Sequence, residues 1–281
     1  VSQPAQSQQP PGETGPMEPR PRDEMTDYVG RDLLKGRRAL ITGGDSGIGR
    51  AVAVAFAKEG ADVAIAYLSE DADAEHTKKL VEEQGRRCVL LRGDLAEARQ
   101  CTRVVEETVR ELGGLDLLVN NVATQRELES VDELTDEQWT HTFDVNMHSY
   151  FRVTAAALKH LPEGSAIVNT GSVNGLRGNK KLIDYSATKG AIHAWTMAMA
   201  QALAPRGIRI NCVAPGPVWT PLIPSTMSEE HVEKFGGNVP LGRPADPDEL
   251  APSFVFLAAE RLSSYYTGEV IAALGGETTP G

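Results

Sequence analysis

The sequence predicts an α/β chain: a doubly wound, seven-stranded parallel sheet in a single domain, preceded by an extended N-terminal arm. Three observations predict it. Short apolar runs alternate with longer stretches of helical periodicity. None of those runs alternates apolar with polar residues as a half-solvated strand would, so helices should cover both faces of the sheet. The unusual residues Gly43, Asp94, Asn120, Ser172 and Pro215-Gly216 stand at the carboxyl ends of the runs, where open sheets of this kind hold ligands.

The elements follow in order. Residues 1–35 are rich in Pro and Gln and nearly lack apolar periodicity. Such a segment reads either as a partly disordered tail or as an arm, ordered from Met17 onward, with Met17, Tyr28, Leu33 and Leu34 as anchors. The remaining domain, 36–281, opens with a strand at 38–42. The loop Gly43-Gly44-Asp45-Ser46-Gly47-Ile48-Gly49 follows, then a helix over 50–59 stopped by Gly60. Strand, glycine turn and helix together aim backbone N–H groups and a helix N-terminus at a pyrophosphate. Strands at 62–67, 88–92 and 115–119 alternate with helices near 71–84 and 97–112. A long helical stretch covers 135–160, and the strand 165–170 delivers Ser172. A helix opening at Tyr185 runs to Ala204. A strand at 208–213 and a helix from Asp246 to Ala259 lead to a last strand at 269–274. The segment 220–242, with Pro221, Pro224, Gly236, Gly237 and Pro240, reads as a mobile lid with a short helix.

Composition bounds the function. A formal charge of −11 argues against a nucleic-acid partner or an anionic membrane surface. No apolar run approaches the roughly 20 residues of a membrane span. The start at Val1 has no basic or apolar signal-peptide region, and its lack of Met reads as a trimmed terminus. Cys88, Cys101 and Cys212 are scattered, as small buried hydrophobes of a reducing, cytoplasmic compartment would be. The histidines, His141 and His148 included, show no metal-ligand spacing, so no metal is expected.

Tyr185 and Lys189 are four residues apart and share one helix face. An ammonium near a phenol favours the phenolate, so this spacing predicts a Tyr185 pKa below its usual value of about 10. A phenol so tuned can exchange a proton with a substrate oxygen. Ser172, arriving from the strand end, can hydrogen-bond the same oxygen or cap the following turn.

Thr42-Gly43-Gly44-Asp45-Ser46-Gly47-Ile48-Gly49, Asp94-Leu95, Asn120-Asn121-Val122-Ala123, Asn146, Ser172, Tyr185-Ser186-Ala187-Thr188-Lys189 and Pro215-Gly216 resemble the short-chain dehydrogenase/reductases, from about residue 36 to the end. The arm around Met17-Glu18-Pro19-Arg20-Pro21 and the run 39–52 resemble the subgroup of glucose/ribitol dehydrogenase homologues and general stress proteins. Two positions depart from the family pattern: Val122-Ala123 replaces Ala-Gly, and Leu274 stands where Asp is common.

The resemblance implies a Rossmann fold and reversible hydride transfer between NAD(P) and an alcohol or carbonyl. Tyr185 would be the acid or base, Ser172 would polarise the substrate oxygen, and Lys189 would also bind the nicotinamide ribose. Asn146 would kink its helix and complete a proton relay. Gly43, Ser46, Gly47, Ile48 and Gly49 would contact the cofactor diphosphate and ribose, and Asp94 and Leu95 would flank the adenine. Asn120 would border the cofactor; Val218 and Thr220, after Pro215-Gly216, would hold the carboxamide. Tyr67 ends the second strand beside the ribose. No base follows it, while Asp45, Glu70 and Asp71 would repel a 2′-phosphate, which points to NAD over NADP. Gln125, Asn174, Asn179 and Lys180 suggest a polar substrate such as a polyol or sugar. The family also implies a homotetramer. The alternative is a cofactor-binding regulatory or scaffold protein with little turnover.

Overall fold

The structure, a computed structural model, describes residues 3–278. Its sheet has the order β3-β2-β1-β4-β5-β6-β7. The strands are β1 (Arg38–Thr42), β2 (Asp62–Tyr67), β3 (Cys88–Arg92), β4 (Leu117–Asn120), β5 (Ala166–Thr170), β6 (Arg209–Pro215) and β7 (Val270–Ala273). All six pairings are parallel. The chain winds outward from β1 in one direction through β2 and β3, then in the other from β4, so a crevice opens between β1 and β4 at their carboxyl ends.

The two-residue period of a strand sends successive side chains to opposite faces. Ile41, Val63, Ile65 and Val119 pack with Val52 and Phe56 of α1 (Gly47–Lys58) and Phe254 of α10 (Pro247–Ala258). Leu40, Ala64, Leu118 and Ile167 face the other way, onto Val104 and Val105 of α3 (Ala98–Leu112) and Val153 of α5 (Ser149–Ala157). Helix α2 (Asp71–Glu82) flanks α1, and α7 (Ile183–Leu203) covers β6. No helix among the described residues is long and apolar enough to cross a membrane.

The stretch read as one helix over 135–160 is broken. Helix α4 (Asp136–Phe143) passes into a π-helical turn, Asp144–His148, before α5 begins. The loop after Ser172 folds into a short helix, α6 (Asn174–Arg177), and α7 starts two residues before Tyr185. Segment 220–242 carries two short helices, α8 (Leu222–Thr226) and α9 (Glu229–Lys234).

The arm lies along the domain. Met17 packs with Trp219, Ile223 and Val232 of the lid region, while Leu34 is buried beneath the main core with Tyr28 and Leu33 against it. Among the described residues before Met17, polar backbone groups find partners on the domain. Gln8 N–H donates to Pro224 O at 2.8 Å, Ser225 Oγ to Pro11 O at 3.2 Å, and Thr14 N–H to Asp73 Oδ2 at 2.8 Å. Trp219 Nε1–H donates to Pro19 O at 2.7 Å. Prolines restrict the unbound chain, so ordering this segment costs less entropy than ordering a flexible one.

Candidate active site

A cleft of about 790 Å³ runs over the carboxyl ends of the strands. Its floor is the glycine loop between β1 and α1. Gly47 has φ +52°, a left-handed conformation that favours glycine. Gly43, Ser46, Gly47 and Ile48 line the cleft. Gly49 does not. A Cβ there would stand 1.8 Å from the Gly43 carbonyl oxygen, so the resemblance's cofactor contact is corrected to a packing role, in which bare backbone lets α1 close on the loop.

Tyr67, Asp94 and Leu95 also line the cleft, as do Pro215, Gly216, Val218 and Thr220. Asn120 is the second correction. It is fully buried, and its Nδ2 donates to Thr154 Oγ1 at 3.0 Å and Asn169 Oδ1 at 2.9 Å, inside the sheet-helix layer. The next residue, Asn121, reaches the cleft, with its Nδ2 donating to Gly43 O at 3.0 Å. Alternation along the strand explains the exchange.

Ser172, Tyr185 and Lys189 line the cleft together. The Ser172 hydroxyl also accepts from Asn174 N–H at 3.1 Å, so it caps α6 while facing the cleft. Lys189 is buried; its Nζ donates to Thr170 O at 2.7 Å and sits 5.5 Å from the Tyr185 ring centre and 5.6 Å from that of Tyr150.

The electrostatics correct the sequence expectation. Burial pushes the Tyr185 phenol up to about 12, only partly opposed by the Ser172 hydroxyl, and pulls the Lys189 ammonium down to about 8. Desolvation penalises both charged forms, and the ammonium bonds a carbonyl rather than the phenol oxygen.

Asn146 is fully buried in the π-helical turn, which fits the expected kink. Its side chain accepts from Thr124 N–H at 2.7 Å and donates to Thr124 O at 2.8 Å and Thr188 Oγ1 at 3.2 Å. These bonds tie loop 121–126 to α7. Through Thr188, the residue before Lys189, they also brace the base of the active-site helix.

Sequence reasoning missed His193. It lies four residues past Lys189, the spacing that pairs Lys189 with Tyr185, and this repeat was the available signal. Its Nε2 accepts from Ser172 N–H at 3.4 Å, and burial followed by the Lys189 charge pushes its pKa down to about 4. A neutral imidazole therefore buttresses the Ser172 backbone.

Gln125, Asn174 and Asn179 line the outer cleft, whereas Lys180 stands outside it. Segment 220–242 is bonded to this end. Gln125 Nε2 donates to Thr226 Oγ1 at 2.9 Å, and His231 Nδ1 lies 2.6 Å from Glu127 Oε2. Glu127, Glu129 and His231 present ligand atoms within 4.8 Å of one another, but Lys181 Nζ already sits 2.9 Å from Glu129 and 3.4 Å from His231. That lysine makes the cluster an ion-paired latch rather than a cation site.

The residues present fit a dinucleotide. The glycine loop forms a cradle that side chains would fill, with a Gly47 Cβ only 3.0 Å from the Thr220 side chain. Amides at the start of α1 suit an anionic diphosphate.

The family model for enoyl-(acyl carrier protein) reductase matches residues 43–278. General stress protein 39 of Bacillus subtilis (strain 168) is 55% identical over 274 residues, covering 97% of this chain and 96% of that protein. Glucose and ribitol dehydrogenase of Daucus carota is 43% identical over 284 residues, covering 99% and 97%. A short chain dehydrogenase from Burkholderia cenocepacia J2315, solved in complex with NADP, aligns with a TM-score of 0.82 at 33% identity, over 87% of this chain and 98% of that one. Relatedness of this depth, running nearly end to end, makes the chain a member of the short-chain dehydrogenase/reductase family of oxidoreductases.

Proposed function

We propose that the chain interconverts a small polar carbonyl compound and its alcohol, a polyol or sugar, with NAD preferred to NADP. The observation that carries this reading is the convergence of Ser172, Tyr185 and Lys189 on one glycine-floored cleft. Gly43, Ser46, Gly47 and Ile48 would hold the diphosphate, with Tyr67, Asp94 and Leu95 toward the adenine. Pro215, Gly216, Val218 and Thr220, together with Tyr185 and Lys189, would hold the nicotinamide half. A bound nicotinamide supplies or accepts the hydride.

The side chains do the rest. Ser172 donates a hydrogen bond to the substrate oxygen as charge develops on it. Tyr185 keeps its proton through neutral pH, since its pKa is about 12, and can hand it to that oxygen. Lys189 stabilises the phenolate left behind. A phenol protonated at neutral pH favours carbonyl reduction there and makes alcohol oxidation rise with pH.

The cofactor preference rests on buried acids. Asp45 and Glu70 both line the cleft, and burial and then the Glu70 charge push the Asp45 carboxyl up to about 7. A 2′-phosphate would add charge beside them, whereas a ribose diol could donate to a carboxylate. The Burkholderia protein carries NADP, so competition between NADH and NADPH tests this directly; tighter NADPH binding reverses the preference.

The polar outer wall of Gln125, Asn174 and Asn179 supports a hydroxylated substrate. We also read the chain as a cytoplasmic homotetramer. The exposed Met197 of α7, with Phe151 and Tyr266, supports subunit contacts, and sedimentation analysis tests it.

The decisive experiment is Tyr185→Phe, screened with aldehydes, sugars and polyols. Turnover should fall about 10³-fold with NADH affinity within about twofold. Retained turnover refutes the mechanism. Cofactor binding without turnover in the unaltered protein, across the whole panel, favours the regulatory reading.

A further inference from the structure

The arm reaches the glycine loop through one carboxylate. Asp23 is 1% exposed. Its Oδ2 accepts from Gly47 N–H at 3.2 Å, and its two oxygens receive Arg50 Nη1 at 3.3 and 3.1 Å. Arg50, also 1% exposed, turns its other nitrogens onto the loop and α2. Nε and Nη2 donate to Asp45 O at 3.1 and 2.9 Å, and Nη2 donates to Asp73 Oδ1 at 2.6 Å. Thr77 Oγ1 donates to the same Asp45 carbonyl at 2.7 Å. The loop is therefore gripped at both ends, by its Asp45 carbonyl from α1 and α2 and by its Gly47 amide from the arm.

We propose that Asp23 is a positioning residue for dinucleotide binding, an arm carboxylate that works with Arg50 to hold residues 45–47 in the shape that receives the cofactor. The inference rests on reading the cleft as a dinucleotide site. Three facts favour it over a simple tether. The arm is already anchored elsewhere by Met17, Met25 and Leu34, which are buried apolar side chains. Burying a carboxylate is costly, and apolar contacts would hold an arm at least as well, so an ionic contact here is better explained by the geometry it imposes. The Gly47 amide is one of the free N–H groups at the start of α1, and capping it fixes the backbone beside Ser46 and Ile48, which line the cleft. Arg50 bridges Asp23 and Asp73, so its positive charge offsets carboxylate charge beside the loop.

The test uses the full chain with Asp23→Ala, Asp23→Asn and, as a control on arm anchoring away from the loop, Tyr28→Phe, which removes the Tyr28–Glu59 hydrogen bond. Equilibrium binding of NADH is followed by its fluorescence, and kcat is measured at saturating cofactor. Asp23→Ala should weaken NADH binding about tenfold or more, with kcat within about twofold. Asp23→Asn, which can still accept from Gly47 but cannot pair its charge with Arg50, should fall between. Tyr28→Phe should bind as the unaltered protein does. If Asp23→Ala fails to fold, Asp23→Asn decides alone, and a threefold loss or more supports the proposal. Unchanged NADH affinity in the folded Asp23 variants overturns it, as does an equal loss in Tyr28→Phe. An unaltered protein that binds neither NADH nor NADPH sinks the dinucleotide reading itself.

Discussion

Replacing Asn120 with Ala separates a structural asparagine from a cofactor ligand. The side chain is fully buried at the end of β4 and donates to both Thr154 and Asn169. Asn169 passes the contact on, its Nδ2 donating to Thr196 Oγ1 at 2.9 Å, so a polar chain threads the layer between sheet and helices. Asn120→Ala removes two hydrogen bonds, each contributing about 1 kcal/mol, and strands the Asn169 Oδ1 acceptor at a desolvation cost of about 1–3 kcal/mol. Some of the Asn120 cost is already present, because its own Oδ1 has no protein partner among the described residues. A net loss of about 2–4 kcal/mol results, read as a lower urea midpoint at unchanged slope. NADH affinity of the folded variant should stay within about threefold. A stability loss below about 1 kcal/mol combined with tenfold weaker NADH binding would restore Asn120 as a cofactor contact and refute the burial argument.

Three other outcomes are expected. Gly49→Ala drives a Cβ into the Gly43 carbonyl, a backbone atom that cannot move without opening the loop, so NADH binding measured by titration should weaken at least tenfold or the protein should fail to fold. Asp45 has its pKa raised from 3.8 to about 7, so its contribution to stability is full below about 4 and is lost as pH rises through 7. The melting temperature of Asp45→Asn relative to the unaltered protein should therefore climb between pH 5 and 8, and a flat difference would refute the shift. Trp219→Phe deletes the indole donor to Pro19 O and should speed proteolytic cleavage within residues 3–20, checked by mass spectrometry.

The strand ends were legible because a parallel sheet needs apolar runs and its ligand residues punctuate them. Gly43, Ser172 and Pro215 could thus be placed at one crevice from order alone, while Tyr185, on a helix, came there through the resemblance. What escaped were quantities set by depth. Whether Lys189 lowers or fails to lower the Tyr185 pKa depends on how much water the pair has lost, and spacing carries no such information. Asn120 and Asn121 differ only in which face the strand turns toward the cleft. The partnership of Asp23 with Arg50 joins an arm without periodicity to a helix, and no local pattern announces a contact of that kind.

The bond from Trp219 to Pro19 spans 200 residues of sequence. A ribosome adding about 5–20 residues each second needs some 10–40 s to cover that distance. Pro19 therefore waits for its partner well after Asp23 and Thr14 could have met Arg50 and Asp73, which follow them by 27 and 59 residues. Any fusion partner placed ahead of the arm should be judged by whether it lets that late docking happen.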